Sequence, residues 1–210
     1  MIPESALLLA GFVLAHAAWS ISDAPDLLVP LAIVERNGQR EIIRFEADTQ
    51  EEAIAHGKAK MATLSGDVDE WAFAREGLFN EKEGKVDVIS VDIGVKGSTQ
   101  RITLIQRFEP YAKRNHFRLI GDPEAVIHGN LQDPTKVKDL LVSVRRGVSQ
   151  HSKAASLWDG WHKPFSHCRN QRLHSEPRSM SVMAIFHQLR ISSFCFANQP
   201  LATSQNLVSR

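Results

Sequence analysis

The sequence predicts an α+β fold: a mainly antiparallel sheet of about five to six strands, two β-hairpins plus single strands, with an N-terminal, a middle and a C-terminal helix. Three observations predict it. Asn37-Gly38 lies between two strand-like runs, and Gly97-Ser98 lies between two more. Tight turns of this kind join antiparallel strands. Apolar residues also recur at helical spacing in 53–64 and 137–144, and 6–19 is apolar almost throughout.

The first element is that apolar run, broken only by His16 and Gly11. It is short for a membrane span, which needs about 20 residues, so no transmembrane span is expected. Ala15-His16-Ala17 has the small-x-small form of a signal cleavage site, with 6–14 as its apolar region. However, Glu4 precedes the run and no Lys or Arg does. The expectation is a buried helix capped by Ser5, with His16 as a core or edge residue. Localisation is accordingly read as cytoplasmic, with export through residues 1–17 as the alternative.

Residues 29–35 and 40–46 read as strands. The Asn37-Gly38 turn pairs Arg36 with Gln39, Glu35 with Arg40, Val34 with Glu41 and Ile33 with Ile42. A helix follows, capped by Asp48 or Thr49, with Glu51 or Glu52 completing a capping box. Its apolar stripe is Ala53, Ile54, Gly57, Met61 and Leu64, and Gly66 ends it. Residues 70–76 form a strand, and 78–85, rich in Glu, Lys and Gly, a loop.

Residues 86–95 and 101–109 make the second hairpin, with Gly97-Ser98 as a type II′ turn. The register pairs Ile93 with Ile102, Val91 with Leu104, Ile89 with Gln106 and Asp87 with Phe108. One face is then largely apolar, and the other carries Ser90, Asp92, Thr103 and Arg107, as in a sheet covered on one side. Residues 117–120 and 125–128 form a short pair around Gly121-Asp122-Pro123. The last helix has Asp133 as cap, Pro134 at its first position, an apolar stripe of Val137, Leu140, Leu141 and Val144, and Gly147 as stop.

Composition changes at that point. Residues 148–210 hold two of the 24 acids, Asp159 and Glu176, but five of the nine His and both Cys. Residues 1–147 are therefore read as one domain, and 148–210 as a low-pattern basic tail without fixed structure. A frame error in the coding sequence is a second account of that tail. On either account, deleting 150–210 should leave stability nearly unchanged.

Function is less legible. The first 150 residues carry 18 Lys and Arg against 22 acids, a net −4 that disfavours nucleic acid as a target. Two cysteines in the tail make no disulfide framework, and a cysteine-free domain suits a reducing compartment. Phosphate-binding glycine patterns and nucleophile elbows are missing. Gly94–Ser98 reads as a hairpin tip. Asp67-Val68-Asp69-Glu70 starts like a calcium loop but lacks its Gly and its distant Glu. His162, His167, Cys168, His174 and Cys195 do not have paired zinc spacing. No metal, cofactor or catalytic residue is implied.

The leading expectation is a non-enzymatic binding domain for a protein partner or small ligand. Its surface would be the polar face of the second hairpin or the 111–118 loop, with Asp92, Arg107, Tyr111, Arg114 and Arg118 as binding residues. One alternative is a small hydrolase-like enzyme using sheet-face carboxylates, Asp87 or Asp92, with Arg107. Another is a nucleic-acid-associated protein using the aromatic and basic residues of 111–118 together with the basic tail.

Overall fold

The computed structural model describes residues 2–64, 68–82, 84–114, 116–128 and 135–163. Met1–Cys168 form one compact unit; a second, Arg169–Arg210, lies outside the described residues, as do Asp133, Pro134, Gly66 and the His and Cys residues of the tail beyond 163.

Helix α1 (Glu4–Ile21) has apolar residues all round, so it has no solvated side and belongs in a core. Twelve of its 18 residues are buried. By length and hydropathy it could also cross a membrane, but 67% of it is buried inside the fold. Ser5 does not cap it. The N-cap is Pro3 without a side-chain bond, and the Ser5 hydroxyl donates instead to Glu70 Oε2 at 2.7 Å.

Strands β1 (Leu31–Arg36) and β2 (Gln39–Arg44) form the first hairpin in the expected register. Asn37 and Gly38 take the positive φ angles the turn requires, 51° and 75°. Arg40 Nε donates to Glu35 Oε2 at 3.0 Å across the pair. Helix α2 (Gln50–Thr63) starts where Thr49 accepts the Glu52 N–H at 3.2 Å. It buries Ala53, Gly57 and Met61.

Strand β3 (Glu70–Glu81) pairs with β1 rather than β2, leaving β2 at the sheet edge. It runs through the segment expected to be a loop and meets β4 (Gly84–Val95) directly, with Glu81 opposite Gly84. Gly84 has φ 131°. The Glu, Lys and Gly of 78–85 mark the exposed end of a long hairpin: the ladder through Phe79–Val86 and Asn80–Lys85 is continuous.

Strand β5 (Arg101–Glu109) pairs with β4 in the expected register. The turn itself differs. Ser98 N–H reaches the Val95 carbonyl at 3.1 Å, and Gly97 has φ 71°. Gly97 is thus the second central residue, not the first of a type II′ turn. A one-turn helix, α3 (Tyr111–Arg114), leads to β6 (Arg118–His128).

β6 is one strand where two short ones were expected. Its pairing with β5 jumps from Ile105–Glu124 to Arg107–Ile120, so Gly121, Asp122 and Pro123 bulge out of a continuous strand. Gly121 takes φ 63° there. The fully buried Gln106 amide serves the disrupted ladder: Nε2 donates to the carbonyls of Arg107 at 3.0 Å, Ile120 at 3.2 Å and Gly121 at 3.1 Å.

Helices α4 (Thr135–Ser149) and α5 (Ala155–Trp161) follow, and β7 (His162–Lys163) adds two parallel residues beside β6. Gly147 therefore lies inside α4 and does not stop it. The composition boundary at 147 likewise falls within a helix, and ordered structure continues past it through Lys163.

The sheet order is β2-β1-β3-β4-β5-β6-β7. One face carries the main core, in which Ile33, Ala74, Ile89, Val91, Leu104 and Phe108 pack beneath α1, with Leu140 and Val144 of α4 alongside. On the other face, α2 covers β1 and β3 through Ala32, Val34, Phe45, Met61 and Phe73. The same face of β4 and β5 presents Ser90, Asp92, Thr103 and Arg107, all half-buried.

Candidate functional site on the polar sheet face

Side chains two residues apart on a strand share a face, and four of them meet in a row, Asp92 and Thr103 as a direct cross-strand pair and Arg75 and His128 as diagonal neighbours. Arg75 on β3 donates from Nη1 to Asp92 Oδ2 on β4 at 2.5 Å. Thr103 on β5 lies opposite Asp92 and donates from its hydroxyl to Oδ1 at 2.8 Å. His128 Nε2 on β6 lies 3.1 Å from the same hydroxyl oxygen. A hydroxyl has one proton, and Asp92 takes it. The Thr103 oxygen therefore accepts from His128, which assigns the imidazole proton to Nε2.

Helix α2 brings a fifth residue. Gly57 lets the helix settle on Phe73, since a Cβ there would come within 2.5 Å of the ring. The Arg75 guanidinium lies over that ring at 5.8 Å. Lys58, next to Gly57, thereby joins Arg75 and Asp92. Burial, and then the Arg75 charge, push the Lys58 amine below its ordinary pKa, while Asp92 pulls the other way. Lys58 has no ion-pair partner among the described residues, so two cations share one carboxylate.

Arg107 belongs to a separate network. Nε donates to Glu81 Oε1 at 2.5 Å and Nη1 to Glu124 Oε1 at 2.6 Å, with the guanidinium over Phe79 at 5.8 Å. Burial works against its charge, but the Glu124 and Glu81 carboxylates more than offset it and push the pKa up. Arg107 pairs with Val88 and Asp92 with Thr103. The offset is four residues, about 13 Å at roughly 3.3 Å per residue, so Asp92 and Arg107 do not meet.

The 111–118 segment is also largely internally paired. Lys113 Nζ bonds the Asp87 carboxylate, and Arg118 Nη2 donates to Glu109 Oε2 at 2.5 Å. Tyr111 is half-buried in α3, and the Arg114 side chain lies outside the described residues. Asp69, in the calcium-like stretch, ties the first hairpin to the start of β3. Its carboxylate accepts the Asn37 N–H at 2.8 Å, and its own N–H donates to the Glu35 carbonyl at 3.0 Å.

Of the expected binding residues, then, only Asp92 sits in the row; Thr103 was expected on the same face but not as a binding residue, and Lys58, Arg75 and His128 were not singled out. The Asp92–Thr103 neighbourhood follows from the hairpin register. Arg75 and His128 required the order of strands, which no local pattern reveals. No protein-family model, curated protein or solved structure matches this chain.

Proposed function

We propose that this domain is a non-enzymatic binding module, and that the ligand or protein partner docks on the polar face of β3–β6 at the row formed by Lys58, Arg75, Asp92, Thr103 and His128. The observation that carries the reading is the charge balance of the row. Arg75 and Asp92 pair, and the exposed Lys58 beside them remains as a surplus cation. The row thus carries one cation more than it has anions, so the complement is an anionic group. Three neighbouring strands fix Arg75, Asp92 and Thr103, so little ordering cost accompanies binding.

The hydrolase-like alternative gains less support. Asp92 already accepts from Arg75 and Thr103, and Arg107 is held in its own network. A catalytic carboxylate–arginine pair must converge on one substrate, and Asp92 and Arg107 stand about 13 Å apart along the strands. The nucleic-acid alternative relies on cations in 111–118, of which Lys113 and Arg118 are neutralised by Asp87 and Glu109.

The test is an amide chemical-shift titration of the full chain with pyrophosphate and, separately, with a short Asp/Glu-rich peptide. Saturable shifts confined to residues 57–59, 75, 92, 103 and 128, lost in Lys58→Ala, are expected. Flat titrations with both probes would remove the sheet face as the binding surface.

A further inference from the structure

His16 of α1 and His151, just past α4, form a buried pair on the opposite side of the sheet, with His16 Nδ1 3.0 Å from His151 Nε2. The protons can be placed. Ala154 N–H donates to His151 Nδ1 at 3.0 Å, so that nitrogen is an acceptor and the His151 proton sits on Nε2. It is donated to His16 Nδ1, which places the His16 proton on Nε2. That N–H is buried and has no acceptor among the described residues. An unsatisfied buried donor is destabilising, so a ligand that supplies an acceptor removes that cost.

The surroundings indicate its charge. Phe12 and His16 are one helical turn apart on α1, and Arg40 and Arg44 share the face of β2 turned toward that helix. The Arg40 guanidinium lies over the Phe12 ring at 5.3 Å. Lys153 Nζ lies over the Trp19 ring at 4.5 Å, and that ring is 5.9 Å from His16. Arg40 is paired with Glu35, whereas Arg44 has no ion partner among the described residues. His16 keeps only 9% of its surface exposed, and its Nε2 atom is itself covered beside these side chains.

We propose that His16 Nε2–H and the Arg44 guanidinium together bind an oxyanion, a carboxylate or phosphate group, within walls formed by Phe12 and Trp19. One ligand oxygen accepts from the imidazole and another from the guanidinium, as charge-assisted hydrogen bonds. Electrostatics agree with the geometry. Burial, followed by His151 and Arg44, lowers the His16 pKa, and burial with Lys153 lowers that of His151. The charged neighbours that act on the pair are thus cations, a field that favours an anion over a neutral acceptor.

The experiment is a long-range 1H–15N spectrum of the imidazoles of the full chain at neutral pH, titrated with inorganic phosphate and, separately, with benzoate. A saturable shift of His16 Nε2, with Nδ1 still bonded to His151, is expected for at least one anion. The tighter of the two names the source of the oxyanion. Arg44→Gln, a change on the exposed edge strand, should weaken binding about tenfold. The intact His16–His151 signals report that this variant is folded. An Nε2 signal unmoved by both anions, or an Arg44→Gln protein that titrates like the parent, overturns the site. The site is independent of the sheet-face row, whose amide shifts separate the two outcomes.

Discussion

Gly11 of α1 and Gly147 of α4 lie where the two helices meet backbone to backbone. A Cβ on Gly11 would sit 1.9 Å from the Val144 carbonyl oxygen, and one on Gly147 2.1 Å from that of Leu8. Helix propensity alone predicts that Gly147→Ala stabilises α4 by about 1 kcal/mol. Packing predicts the opposite sign, because backbone cannot step aside as a flexible side chain can. Each Gly→Ala change should therefore destabilise by about 2–3 kcal/mol or more. Urea denaturation decides which effect wins, and a more stable Gly147→Ala protein would contradict the contact.

Residues beyond 150 belong to the same core. Ala154 packs with Ala15 and Val148, and Trp158 and Trp161 cover that cluster. Trp161 also meets Phe117 edge to face at 5.5 Å. The expectation that deletion of 150–210 is harmless is thus replaced by its opposite. Removal of two half-buried Trp side chains and the His151 contact should cost about 3 kcal/mol or more. A calorimetric scan of the truncated protein should show a Tm lower by many degrees; an unchanged Tm would mean α5 adds nothing.

These two cases show where local reading stops. Asn37-Gly38 dictated a register because positive φ is a local demand, and every expected pair of that hairpin is present. The second hairpin kept its register although its turn closes differently, because side-chain alternation and one buried face hold the strands in place. By contrast, a glycine required by a distant helix looks the same in sequence as a glycine that ends a helix. Gly121-Asp122-Pro123 likewise has turn composition, but paired residues on both sides hold it as a bulge in one strand. The site divides in the same way. Asp92 beside Thr103 was legible from pairing, whereas Arg75, His128 and the His16–His151 contact depend on tertiary neighbours.

The histidine pair sets an acid limit on stability. His16 and His151 both titrate below their ordinary 6.5 in the folded protein. The unfolded chain takes up protons first as pH falls, so the pair's contribution is complete above 6.5 and shrinks below it. Protonation also places a second donor against a donor, at His151 Nδ1 facing Ala154 N–H or at His16 Nδ1 facing His151. Urea midpoints should decline between neutral pH and about pH 5, with a smaller slope in His151→Asn. Parallel slopes would assign the decline to other groups.

Glu76 has the reverse sign. Its carboxylate is half-buried and accepts the Leu28 N–H at 3.0 Å. Burial, the largest cause, and the nearby Asp87 raise its pKa above the ordinary 4.5 against the Leu28 bond and Lys113. The folded state therefore holds this proton more tightly, and the stability it confers is lost as pH rises through the raised value. Glu76→Gln keeps an acceptor for Leu28 without the charge. It should match the parent in acid and exceed it at neutral pH. A variant less stable than the parent at neutral pH would show that the carboxylate charge is worth more than its desolvation.

Asp92→Asn probes the balance of the sheet-face row most directly. The change keeps the shape and an acceptor for Thr103, but it leaves Arg75 and Lys58 as two cations with no anion between them. Loss of a half-buried, hydrogen-bonded pair should cost about 1–2 kcal/mol. The deficit should be largest at low ionic strength, where repulsion is least screened. Added sulfate should then restore the variant more than it stabilises the parent, because an ion seated between Lys58 and Arg75 takes the place of the missing carboxylate. Chloride at equal ionic strength separates screening from seating. If chloride restores the variant as well as sulfate does, the row is a surface ion cluster and not a seat for a ligand anion.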